Sequence, residues 1–457
     1  MSILGIGNKG STRKISTFIN EFVKQESFGG ILLFVAAIIA IVAANSPVLS
    51  HAYFSFWELE FGISIGNYSF IRDMHFWIND GLMALFFLMV GLEVKRELLV
   101  GELSSFQKAI SPIFASVGGM LFPILIFLYC TWGSGNERGF AIPMGTDTAF
   151  ALGVLLLLGN RIPIKLKVFL VTLAIADDIG SILVIAVFYT NTISYFYLTL
   201  AALMASVLFL FNRSGVKTIM LYLFGGIILW YFFYKSGIHA TISGIVLAFC
   251  IPIRSKINST GFLEHLRLAV NVFYSNAPKQ ETQQVLLNAK QNNALEIIAK
   301  AYDEVQSPLV RLEHYLHPLS AYFIMPIFAL ANAGVKIEQG FEFNNIFWGI
   351  SLGLFVGKPL GIFVFTYMLD FFGISRKPSN LTWTQIFGVG LVASIGFTMS
   401  ILISKLAYQE MGADDQATLS VLLASLVATF VSFLFFFVFS PKESIPTSSA
   451  ASSKDTL

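Results

Sequence analysis

The chain has 457 residues, 56% of them hydrophobic and only 12% charged, with a mean hydropathy of +0.74. Soluble domains carry about a quarter charged residues, so an ordinary water-soluble globule is excluded. A net charge of +2 without a basic stripe excludes nucleic acid, and Cys130 and Cys250 lack the spacing of a disulfide framework or zinc site.

Repeated apolar runs of about twenty residues predict a polytopic helical membrane protein. Residues 12–25 are expected to form a short surface helix. The run from Phe28 to Ala44 follows Lys9, Arg13, Lys14 and Lys24. It is longer than a signal-peptide core and more spans follow, so it reads as an uncleaved first span. Twelve runs are expected in all, near 28–45, 76–92, 109–130, 140–158, 168–190, 193–211, 218–234, 237–253, 318–335, 345–371, 385–407 and 418–440.

The basic residues support that count. Lys358 and Lys405 lie inside runs, and one set of alternate loops holds only Arg72, Arg138, Lys235 and Lys336. The remaining lysines and arginines fall in the other set, which is the mark of cytoplasmic loops. Both termini are therefore expected in the cytoplasm, with residues 1–27 leading into spans one to eight (28–253). The long loop 254–317 is expected to be cytoplasmic, with a helix using Val285, Leu286, Ala289, Leu295, Ile298, Ala301 and Val305 to pack on the membrane domain. Spans nine to twelve occupy 318–440, and the Ser/Thr/Ala-rich tail 441–457 reads as disordered.

Charge inside the oil is the informative feature. FAIPMGTDTAFALG (140–153) puts Pro143, Gly145, Thr146 and Asp147 inside the fourth run. TLAIADDIGSILVIAVFYT (172–190) puts Asp177 and Asp178 side by side in the fifth, and LFVGKPLGIF (354–363) puts Lys358 in the tenth. LVASIGFTMSIL (391–402) gives the eleventh Ser394, Gly396, Thr398 and Ser400. A mid-membrane charge is tolerated when it pairs, holds an ion or is neutralised.

A structural ion pair between Lys358 and one aspartate is the plainest reading, but three acids against one lysine leave two carboxylates over. Successive helix residues point about 100° apart, so one aspartate can answer the lysine while its neighbour faces a cavity. That arrangement suits exchange of H⁺ for a hard cation. Pro and Gly followed by polar residues in the fourth and eleventh runs suggest helices broken into halves, tolerable only where they line a cavity or pack in protein. A kink at Pro143 is the alternative for the fourth run. In broken helices Asp147 would compensate half-helix N-termini and Lys358 the C-termini.

GLEVKRE (91–97), GTDTAFALG (145–153), AIADDIG (174–180), SGIHAT (236–241), RLEHYLHP (311–318), ANAGV (331–335), GKPLG (357–361) and SIGFTMSI (394–401) together resemble the bacterial NhaA-type sodium/proton antiporters. The resemblance implies an all-α membrane protein of twelve spans with inverted repeats and two interrupted helices crossing at mid-membrane. It also implies a bacterial inner-membrane location and a homodimer. It assigns Asp177 and Asp178 to cation binding and proton carriage, Lys358 to pairing with the first aspartate, and Asp147 with Thr146 to the helix crossing. Glu93, Arg96, Glu97, His239, Glu313, His314 and His317 match positions tied to the pH response. At 93–97 an ordinary set of helix-end ion pairs is the alternative, and His314 and His317 could simply cap a membrane boundary. The 254–317 loop is longer than is usual for the family.

The expected activity is therefore electrogenic exchange of cytoplasmic Na⁺ or Li⁺ for external protons, with no resident cofactor. The rival within transport is sodium-coupled symport of an organic anion held by Lys358. An intramembrane aspartic protease would need facing, not adjacent, aspartates, and a passive channel would need a ring of ligands.

Overall fold

The computed structural model describes residues 28–66, 68–190, 193–275, 287–337, 343–375, 377, 381–408 and 413–439. The expected surface helix at 12–25, the tail 441–457, and Val285 and Leu286 of the loop helix lie outside the described residues. In chain order the elements are α1 (Phe28–Asn45), α2 (Ser50–Trp57), β1 (Glu60–Ile65), β2 (Tyr68–Asp73), α3 (Met74–Leu99) and α4 (Phe106–Thr131). Then come a 3₁₀ segment (Glu137–Met144), α5 (Thr148–Leu157), α6 (Ile164–Phe188), α7 (Tyr195–Arg213), α8 (Ile219–Ser236) and α9 (Ile242–Cys250). The chain continues through α10 (Ser259–Ser275), α11 (Ala289–Val305), α12 (Pro308–Leu319), α13 (Met325–Asn332) and α14 (Asn345–Phe371). It closes with α15 (Trp383–Ala393), α16 (Phe397–Tyr408) and α17 (Asp414–Phe439).

Among the described residues nine helices are long and apolar enough to cross a membrane, or ten if α15 and α16, bent by 47°, form one span. The eighth and ninth expected runs are not in that set. Helix α9 has only nine residues, and the apolar stretch of α12 and α13 is flanked by His314, His317 and Asn332.

The all-α expectation needs one correction. Strands β1 and β2 form an antiparallel pair with Glu60 opposite Asp73 and Ser64 opposite Ser69. The segment EFGISIGNYSFIRD alternates β-branched and aromatic residues with polar ones, which favours a pleated pair over a helix. Gly66, with φ of 59°, supplies the left-handed turn residue between the strands.

The chain divides into two compact units. Of the described residues, the first comprises those through His75, Ser105–Ile185 and those from Ala321 on. Its apolar core joins Leu152 and Leu155 of α5, Leu170 and Leu173 of α6, and Ile386, Val389 and Val392 of α15. Helices α4 and α14 run closely together at Gly118 and Gly361. A Cβ on either would strike the other's carbonyl oxygen, so only hydrogen fits. Lys405 sits near the end of α16 and pairs with Asp414 and Asp415 at the start of α17 (2.7 and 3.5 Å), so its charge is answered at a helix end rather than in mid-span.

The second unit holds Phe76–Ser104 and Ala186–Ser320. Gly244 of α9 lies against the backbone of Ala84 and Leu88 in α3, where a side chain would clash. Lys95 is buried, its ammonium donating to the carbonyls of Ala248, Phe249 and Ile251 at the end of α9. The loop expected to carry one helix carries two, α10 and α11, before α12 begins at Pro308. Ala269, Ala294 and Ala301 are buried where these two pack, and a capping box at Asn288 and Gln291 starts α11.

Candidate ion site

The fourth run breaks where its residues demand it. Pro143 has no N–H to continue a helix, the 3₁₀ segment stops at Met144, and Gly145 is extended with ψ of 146°. Asp147 then opens α5 as its N-cap, accepting from the Phe150 N–H at 3.0 Å. The eleventh run breaks between Ala393 and Phe397.

The two interruptions bond to each other. The Asp147 N–H donates to the Ile395 carbonyl at 2.7 Å. The other oxygen of the Asp147 carboxylate accepts from the Thr398 hydroxyl at 2.7 Å and the Thr398 N–H at 3.2 Å. One buried carboxylate thus caps the N-termini of both α5 and α16, where each helix carries partial positive charge.

Lys358 serves the opposite end of the fourth run's break. It is fully buried and donates to the Met144 and Gly145 carbonyls at 2.6 and 2.7 Å, where the 3₁₀ segment leaves acceptors unmatched. Its ammonium also lies 3.3 Å from Oδ2 of Asp177. The same Oδ2 accepts the Thr146 hydroxyl at 2.6 Å, and Oδ1 accepts the Ser116 hydroxyl of α4 at 2.7 Å. Asp177 is therefore enclosed by one cation and two hydroxyls with no exposed surface, whereas Asp178 keeps 8% of its surface exposed. Both aspartates are buried, and their separation of about 100° turns Asp178 away from the donors that lock Asp177.

Asp177, Lys358, Thr146 and Asp147 are thus brought together. Ser116 was missed, because a serine in an apolar helix that usually satisfies itself carries no outward signal of a partner on another helix.

The remaining candidates lie in the second unit. Arg96 forks onto Glu313 at 2.9 and 3.2 Å and reaches Glu97 at 2.7 Å, with Glu93 close enough to act on its charge. Burial raises the Glu313 carboxyl above its ordinary value, against the opposing pull of Arg96. His239 is apart from that cluster: Nδ1 is 2.9 Å from the Thr241 hydroxyl and 3.7 Å from Asp80. His317 is buried and His314 is exposed.

Sequence comparison with known proteins places the chain in a family. A sequence profile described as Na⁺/H⁺ antiporter 1 matches residues 20–436. The chain is 46% identical over 429 residues to "Na(+)/H(+) antiporter NhaA 2" of Helicobacter hepaticus, covering 93% of this chain and 96% of that one. It is 45% identical over 423 residues to "Na(+)/H(+) antiporter NhaA" of Wolinella succinogenes, covering 92% and 93%. The namesake in Helicobacter pylori strain G27 is 45% identical over 434 residues, covering 94% and 97%. With the profile running through nearly the whole chain and the apolar helices it contains, this multi-pass membrane protein belongs to the Na⁺/H⁺ antiporter 1 family, a family of transporters and not of enzymes.

Proposed function

We propose that the protein exchanges cytoplasmic Na⁺ or Li⁺ for external protons, with the cation and protons competing for Asp177 and Asp178. The observation that carries this reading is the buried carboxylate pair: Asp177 is held by Lys358, and Asp178, one residue on, is buried beside it and turned about 100° round the helix. A cation arriving at Asp178 meets a second carboxylate whose charge is already shared with an ammonium. Drawing Asp177 toward the cation weakens its bond to Lys358, and Thr146 supplies a hydroxyl oxygen nearby. Protonation reverses each step.

In this reading twelve spans in inverted repeats, with the interrupted helices crossing at mid-membrane, give alternating access to the site from either face. Two groups among Asp177, Asp178 and Lys358 exchange protons per cation, so each cycle moves net charge and responds to membrane potential. Strongly coupled groups titrate as a set, and separate values are not assigned. The protein would work as a homodimer in a bacterial inner membrane with both termini cytoplasmic. The Arg96–Glu313 cluster, with Glu93, Glu97, His239, His314 and His317, would set the pH response. Sodium-coupled symport of an organic anion is the second reading, favoured only by the buried cation Lys358, whose bonds to two carbonyls and Asp177 oppose it.

Acid-loaded proteoliposomes with a pH-sensitive dye test the proposal. Adding Na⁺ alone should collapse the pH gradient for the native protein and leave it standing for Asp178→Asn. A gradient untouched by Na⁺ with native protein, or normal exchange by Asp178→Asn, ends the reading.

A further inference from the structure

Buried helical serines and threonines in this protein usually satisfy themselves by donating to the carbonyl one turn back, as Thr172 does to Val168, Thr366 to Ile362 and Ser420 to Gln416. Ser181 does not. It is 1% exposed, and its hydroxyl has no hydrogen-bond partner. Leaving a buried hydroxyl unmatched is unfavourable, so an orphan at this depth asks for a ligand.

Its position says which. Of the buried hydroxyls without a partner among the described residues, Ser181 is the one on α6, the helix of the aspartates. It lies four residues after Asp177 and three after Asp178, which places it about 40° round the helix from the first and about 60° from the second. It is therefore on the face between them, one turn along, at the spacing where side chains meet. Helical side chains lean toward the N-terminus, so its oxygen leans back over the turn that holds the carboxylates.

We infer that the Ser181 hydroxyl is a ligand for the transported cation, completing an oxygen set begun by Asp178 and Asp177. The inference rests on the exchange reading above. A neutral hydroxyl is a hard oxygen donor that binds an alkali cation without adding charge to a site whose protons must also leave. Na⁺, the larger ion, fills its coordination with more oxygens than Li⁺. Li⁺ completes its smaller set without the hydroxyl whereas Na⁺ uses it, so losing it weakens Na⁺ more, and Ser181 weights the choice between them.

Initial rates of Na⁺- and Li⁺-driven collapse of the pH gradient in proteoliposomes, for the native protein, Ser181→Ala and Ser181→Thr, test the assignment. Ser181→Ala should raise the apparent KM for Na⁺ about tenfold and that for Li⁺ by less, at unchanged maximal rate. Ser181→Thr, which keeps the oxygen, should stay near the native value. An unchanged KM in Ser181→Ala, a loss of maximal rate alone, or an equal rise in both variants overturns the assignment while exchange itself stands. Native protein that fails to respond to Na⁺ removes the exchange reading instead.

Discussion

The Lys358 ammonium lies 3.3 Å from Oδ2 of Asp177 while donating to two carbonyls of the broken fourth span. The lysine is thus an electrostatic partner and a helix-end cap at once, and the two duties predict different responses to substitution.

Lys358→Ala strands the fully buried Asp177 carboxylate, which keeps only the Ser116 and Thr146 hydroxyls, and also uncaps Met144 and Gly145. Breaking a buried pair from one side costs about 3–5 kcal/mol. Thermal unfolding in detergent should show a marked fall in Tm for this variant. The double change Lys358→Ala with Asp177→Ala should recover part of it, and strict additivity would contradict the pairing.

Asp147 caps two half-helices with one carboxylate. Asp147→Ala should destabilise by the sum of two N-caps, at about 0.5–2 kcal/mol each. Thr398→Val removes only the hydroxyl donor and should cost less. Equal Tm losses in the two variants would show that the cap on α5 contributes nothing beyond the Thr398 hydroxyl contact.

Glu313 gives a pH dependence whose sign can be worked out. Its folded-state pKa is raised, chiefly by burial, so the folded protein holds that proton more tightly than the unfolded chain. The stabilisation linked to Glu313 is complete below the unfolded carboxylate value, about 4.3. It is lost as pH rises through the higher folded value. Stability measured against pH should therefore fall less steeply over that interval in Glu313→Gln than in the native protein. An identical slope would refute the shift.

At Gly361 two effects oppose each other. Helix propensity alone would make Gly361→Ala stabilising by about 1 kcal/mol. The contact with the Gly118 carbonyl makes it an overpacking change, typically costing about 1–3 kcal/mol. A lowered Tm is expected, and a raised one would mean that α4 and α14 separate easily.

Composition and pattern alone determined that this chain is a multi-span helical membrane protein with charges where lipid forbids them. Apolar runs and intramembrane aspartates are local signals that need no partner to be legible. The interruption of the fourth and eleventh runs was equally local, because Pro143, Gly145 and Gly396 act on their own backbone. Even the division of helix-end compensation between Asp147 and Lys358 followed from the dipole of a broken helix.

Composition and periodicity left open which aspartate meets the lysine, since Asp177 and Asp178 differ by a rotation about α6 whose origin a pattern does not set; the resemblance pointed to the first, and the fold puts Lys358 against Asp177. Only the tertiary structure decided that Ser116, 61 residues from Asp177, completes that carboxylate's shell. Lys95 counted as an ordinary loop cation until folding carried it onto the carbonyls of Ala248, Phe249 and Ile251. The β1–β2 pair and the additional helix α10 were likewise missed, because an apolar-run reading is insensitive to short elements outside the membrane. Contacts between distant residues depend on how helices pack, and a periodic pattern records only which face is apolar, not what that face touches.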